Sequence, residues 1–259
     1  MGAVGMLGGA LMEKLVYVVW MPEGTPREVV GSTMRGEVAK ELLAAGVLGL
    51  DLYVDDEFAD VRAPVPPPAG EQLPDAVVSL WVDAYDYRAQ IESILSRAAH
   101  KIAGYQVVES LYGDYGKNPH SSSRTWPDGV RSPGIMTVAF FPERPGMDDE
   151  EFYTFWHTKQ SPMSEAIQPR CRYVRNAVFR PITEGAPPWR GIVAEAWPSK
   201  ESVEDPFAFF LAGEDAEVLT ANVTTMIEHG VAFMDMEQLR SVTMSEYFVK
   251  TIGGFHVES

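Results

Sequence analysis

The chain spells one order of elements twice, on either side of a segment that cannot be regular structure. That segment, 116–134 (GKNPHSSSRTWPDGVRSPG), is dense in Ser, Pro and Gly and separates two halves. Before it, 15–20 (LVYVVW) is an apolar, β-branched and aromatic run, and 48–54 and 76–82 read as strands of the same kind. Thr25, Pro26 and Glu28 mark a helix start after the first strand, and Gly46 suits its end. A second helix over 83–100 lines up Ile91, Ile94, Leu95 and Ala98, and a strand over 105–112 closes the half. After the separator, 135–141, 173–179, 192–197 and 240–249 read as strands, with helices over 148–160, 200–211 and 216–229, the last stopped by Gly230. Each half is therefore β-α-β-β-α-β, the ferredoxin-like order.

Short landmarks recur at a shift of roughly 120 residues, as an internal duplication gives. WMPEG at 20–24 answers FFPER at 140–144, and SLWVD at 79–83 answers EAWPS at 195–199, which places Trp81 on Trp197. VVES at 107–110 answers MSEY at 244–247, with Glu109 opposite Glu246. A four-stranded sheet has two open edges, and closing two such sheets on each other removes all four. The expected fold is α+β: two tandem ferredoxin-like repeats forming one intramolecular dimeric α/β-barrel. Its parts are a loose extension over 1–11, a first repeat over 12–115, a linker over 116–133 and a second repeat over 134–259.

Composition narrows the partners. A formal charge of −16 argues against nucleic acid and anionic membrane, which want basic surfaces. No apolar run reaches the ~18–20 residues that a membrane helix needs. The glycine-rich start lacks the basic beginning of a signal peptide. Cys171 is alone, so no intramolecular disulfide forms and a reducing cytoplasm is the expected location. The expected partner is a small aromatic molecule, with room for a homo-oligomer of the tandem chain. No cofactor or metal is expected: there is no phosphate loop, no G-x-G-x-x-G after a strand, no H-E-x-x-H, and the five histidines are scattered.

The stretch 144–180 carries the densest signal. Asp148 with Glu151 makes a helix N-terminal box, and Phe152, Phe155, Trp156, Lys159 and Met163 follow at helical spacing. Lys159 is the odd member, an ammonium in an apolar stripe. Pro162 and Pro169 are expected to end the helix. Pro145, Gly146, Glu151, Phe152, Trp156, Pro162, Arg172, Tyr173, Val174 and Asn176 together resemble the EthD-like family of dimeric α/β-barrel proteins. That family usually carries a histidine two residues before the proline, where this chain has Gln160. The resemblance implies cofactor-independent lyase, isomerase or cyclase chemistry on aromatic or polyketide-like molecules, and in some members oxygenation by O₂ alone.

A working pocket is expected in the second half, between the helix and the sheet of Tyr173, Glu195 and Tyr247. Glu195 interrupts an apolar strand, so a partly desolvated carboxylate could serve as general acid or base, unless it faces water or pairs with Arg172 or Arg175. Lys159, Tyr247 or His157 would stabilise the developing oxyanion. Gln160 can donate and accept a hydrogen bond but cannot exchange protons, so it would orient substrate. Trp156 and Trp197 are flat surfaces for a planar ligand, and Tyr173 and Asn176 are candidate contacts from the strand. The comparable polar groups of the first half are Arg35, Tyr53 and Tyr105. Three readings stay open: a cofactor-free lyase or isomerase, a cofactor-free monooxygenase of a phenol or quinol, and a binding or carrier protein without catalysis.

Overall fold

The computed structural model describes residues 12–255, so the extension expected over 1–11 lies outside the described residues. Eight strands form: β1 (Glu13–Trp20), β2 (Gly49–Val54), β3 (Ala76–Val82), β4 (Lys101–Gly113), β5 (Ile135–Phe141), β6 (Arg172–Pro181), β7 (Gly191–Trp197) and β8 (Arg240–Lys250). They close into one barrel in the order β1-β3-β2-β8-β5-β7-β6-β4, every pair antiparallel. Each repeat contributes four neighbours, β4-β1-β3-β2 and β8-β5-β7-β6. The repeats meet at two seams, β2 with β8 (Leu52 opposite Tyr247) and β4 with β6 (Glu109 opposite Asn176). Closure satisfies the backbone donors and acceptors that each sheet edge would otherwise leave open.

Strand alternation sorts the side chains into two layers. Val16, Val18, Tyr53, Tyr105, Phe140, Val174, Ile192 and Met244 point into the barrel and fill it, with Trp189 stacked on Phe140 at 4.6 Å between ring centres. The opposite faces carry the helices: α1 over 27–44 and α2 (Arg88–Ala98) on the first sheet, α3 over 149–167 and α4 (Ala216–Phe233) on the second. The same alternation corrects one landmark. Lys14 lies 4.6 Å over Trp81 on the inward face, whereas Trp197 packs outward with Ile135, Val203 and Phe209, so the two tryptophans are not equivalent. Glu109 and Glu246 both face inward, as the duplication requires.

Those glutamates belong to a charged cluster buried inside the barrel. Arg172 Nη1 donates to Glu246 at 2.9 Å and Tyr115 donates to the other Glu246 oxygen at 2.7 Å. Arg172 also lies 3.8 Å from Asp51 and 3.5 Å from Asp114, while Lys14 pairs with Glu109. Strands of both repeats supply it, so the cluster ties the two sheets together from within. Its four carboxylates face two cations, and burial pushes the Asp51 carboxyl up to about 7, against the pull of Arg172 and Lys14. The segment 116–134 is strapped along β8: Gly129 and Ser132 donate backbone hydrogen bonds to Phe248 and Glu246, at 2.7 and 2.8 Å.

Candidate active site

The two outer sheet faces differ in bulk, and that difference makes a cavity. On the first sheet Leu15, Tyr17, Val19, Leu50, Leu52, Val78 and Leu80 fill the space under the helices completely. On the second the corresponding layer carries Thr137, Ala139, Val193, Glu195 and Ser241, which are small or polar. The space they leave is a cavity of about 630 Å³ under α4, within the usual range for a ligand of drug size. Its walls are mainly apolar: Phe141, Trp156, Phe209, Phe210, Phe233, Met226, Met234 and Met236. One side is closed by 62–65, part of the proline-rich loop of the first repeat. That loop is held by Thr243 of β8, whose hydroxyl donates to the Val61 carbonyl at 2.6 Å.

Helix α3 begins as the sequence predicts, with the Asp148 carboxylate accepting from the Glu151 backbone N–H at 2.9 Å. It then widens into a π turn over Trp156–Gln160 and continues as Ser161–Ile167, and α1 has a π turn at the matching place, Met34–Val38. The extra residue rotates every later position about the axis. The buried stripe therefore runs Phe152, Trp156, Gln160, Ser164, and Lys159 is turned to solvent with its ammonium 5.2 Å from the Phe155 ring. Lys159 does not oppose Glu195, a correction of the expectation from regular helical spacing. Pro162 does not end the helix either. Its missing N–H falls just after the widened turn, where the Ser161 hydroxyl donates to the Trp156 carbonyl at 2.9 Å. Nor does Gly230 stop α4; it stays helical because any side chain there would meet the Met236 sulfur at 2.9 Å.

The cation beside Glu195 is Arg170, in the turn before β6. Its Nη1 is 2.6 Å from Glu195 Oε1, its Nη2 donates to Ser164 Oγ at 2.8 Å, and its guanidinium carbon lies 4.1 Å from the Tyr173 ring centre. Three contacts at once fix a planar fork that a lysine could not reproduce. Glu195 sits in a row across β6, β7 and β5, between Tyr173 and Thr137. Thr137 Oγ1 accepts from Trp197 Nε1 at 2.8 Å, and the Tyr173 hydroxyl accepts from Trp156 Nε1 at 3.1 Å. Burial raises the Tyr173 hydroxyl above the ordinary phenol range, partly opposed by Arg170. Sequence reasoning missed Arg170, because a turn arginine after Pro169 has no periodicity to give it a facing.

The other expected residues are distributed as follows. Glu195, Trp156, Gln160 and Tyr173 line the cavity together. Trp197 stands behind the wall, stacked on Phe209 at 4.6 Å, and holds Thr137 rather than touching the space. Asn176 points into the barrel and donates to the Ile192 carbonyl at 3.0 Å. Tyr247 is also outside the cavity: β8 is a seam strand, and its far end lies under the first repeat. There the Tyr247 hydroxyl donates to Asp56 at 2.6 Å, and Arg35 lies 5.1 Å from its ring centre. His157 is half-buried between Tyr153, Trp156 and Arg175. Burial and then the Arg175 charge push its pKa down, so it is neutral at pH 7 and supplies no positive charge. No described helix is long and apolar enough to cross a membrane.

No protein-family model matches the sequence, and no curated protein is similar to it. Solved structures do share the architecture. An anthrone oxidase-like protein matches over 96% of this chain and 98% of its own, at 10% identity and a TM-score of 0.51. A protein provisionally named a monooxygenase, from Fusobacterium nucleatum, matches over 97% of this chain and 99% of its own, at 9% identity and a TM-score of 0.52. At such identities the likeness is one of fold.

Proposed function

We propose that the chain is a cofactor-independent lyase or isomerase of the EthD-like kind, acting on a planar aromatic or polyketide-like molecule in the second-repeat cavity. The observation that carries this reading is the Arg170–Glu195 pair, the one ion pair on the wall of a largely apolar space. A substrate with an acidic C–H beside a carbonyl, or a phenolic O–H, gives its proton to Glu195. The negative charge then moves from the carboxylate to the substrate oxygen, while the Arg170 guanidinium stays beside both. The site's net charge is unchanged, which keeps the step inexpensive in a cavity of low polarity. In an isomerisation the proton returns to another carbon. In a dehydration a hydroxyl next to the carbanion leaves, and the Glu195 proton departs with it as water.

A second reading shares the first step. The names of the two fold neighbours favour a cofactor-free monooxygenase, in which the substrate anion gives its electrons to O₂. A methylene then becomes a carbonyl, with one oxygen atom in the product and the other in water. Anaerobic turnover of an anthrone-type ketone and of hydroxylated polycyclic ketones separates the readings, since only the lyase or isomerase continues without O₂. Glu195→Gln keeps size and hydrogen bonds but removes the proton acceptor, so turnover should fall about 10²–10⁴-fold. Unchanged turnover in that variant would refute Glu195 as the base. Binding of these ketones without conversion, by wild type and variant alike, would make the protein a carrier.

A further inference from the structure

We infer that Gln160 selects ligands that carry a neutral hydroxyl at the end remote from the group held by Arg170 and Glu195, an inference that rests on reading the cavity as the ligand site. Gln160 lines the cavity, yet it is only 7% exposed. Its Nε2 is turned to the Met226 sulfur at 3.4 Å, which leaves the carbonyl Oε1 buried and without a partner. Other polar groups on this wall are engaged. Thr137 accepts from Trp197, Ser164 accepts from Arg170, Tyr173 accepts from Trp156, and Arg170 and Glu195 hold each other.

An orphaned buried acceptor is costly, and an apolar side chain of the same shape would avoid the cost. The π turn is what brings Gln160 to this place in the stripe, two turns along α3 from Phe152. A ligand O–H pointing at Oε1 would complete the wall. A ligand with only an ether or hydrogen there would leave the acceptor desolvated and still unpaired. Sites built to hydrogen-bond a substrate hydroxyl reject analogues lacking it more strongly than apolar pockets reject a change in size. The substrate class is therefore a fused-ring molecule with polar groups at both ends: an acidic carbonyl or phenol toward Arg170 and Glu195, and a neutral ring hydroxyl toward Gln160.

The test uses two probes that are already fully oxidised and so are not turned over: a dihydroxyanthraquinone with hydroxyls at opposite ends, and its monomethyl ether. Binding to the full chain is followed by quenching of tryptophan fluorescence. Wild type should prefer the diol about 10–100-fold. Gln160→Met keeps the volume and removes the acceptor, and the preference should shrink to below about threefold. Without ligand that variant should melt above wild type, because the unpaired acceptor is gone. Gln160→Leu should repeat both results, which guards against an effect special to the new sulfur. Equal binding of the two probes to wild type, or a preference that survives in both variants, overturns the inference and leaves the cavity's function standing. Failure of both probes to bind wild type overturns the cavity as an aromatic site, and the selection with it.

Discussion

Replacing Asp51 by Asn tests the charge balance inside the barrel. The side chain is 4% exposed and shares its surroundings with Arg172, Lys14, Glu246 and Glu109. Burial raises its carboxyl from the ordinary 3.8 to about 7, so the folded chain holds this proton more tightly than the unfolded one. The contribution to stability is complete below the unfolded value and is lost as pH rises through the folded value. About three pH units at roughly 1.4 kcal/mol each set a ceiling near 4 kcal/mol, and sharing of protons within the cluster lowers it. Asparagine has the same shape and does not ionise. The stability of Asp51→Asn relative to wild type should therefore be greater at pH 8 than at pH 4 by about 2–4 kcal/mol. Urea unfolding followed by tryptophan fluorescence at the two pH values measures that difference, and acid effects common to both proteins cancel. An equal relative stability at both values, or a larger one at pH 4, would refute the argument.

Arg170→Lys should cost about 1–3 kcal/mol by urea unfolding, because a single ammonium cannot pair with Glu195, bond Ser164 and stack on Tyr173 together. The same change should weaken binding of a phenolate more than binding of its neutral form, read from the pH dependence of ligand affinity. Lys159→Met should alter neither substrate binding nor turnover, and its stability should stay within about 0.5 kcal/mol of wild type. Gly134→Ala should lower the melting temperature by several degrees. Gly134 has φ +77, and a Cβ there would collide with the Trp197 carbonyl oxygen, so the residue cannot relax by a rotamer change.

The order of elements and the closing of two sheets were legible because they follow from apolar runs, turn residues and the need to hide sheet edges. The Asp148 cap and the facing of Glu195 were legible for the same local reasons. What failed to show was whatever depends on an irregular turn or on a neighbour from the other repeat. A helix read at 3.6 residues per turn presents Lys159 inward, and one added residue in the turn presents Gln160 instead. Tyr247 alternates correctly along β8, but the layer above it belongs to the first repeat. The cavity itself has a simple signature that was present and went unread. Thr137, Ala139, Glu195 and Ser241 stand on one sheet face, where the other sheet has Leu, Tyr and Val.

That contrast has a consequence for stoichiometry and for descent. In a symmetric pair of half-barrels every substitution is made twice, so both outer layers must stay roomy if either is to host a guest. Once the halves share a backbone, each layer drifts under its own selection. Here the filled layer of Tyr17, Leu50, Leu52 and Leu80 supplies cohesion, while the sparse layer around Glu195 is free to stay hollow. Calorimetric titration should therefore saturate at one guest per chain, half of what the architecture's pseudo-symmetry would suggest.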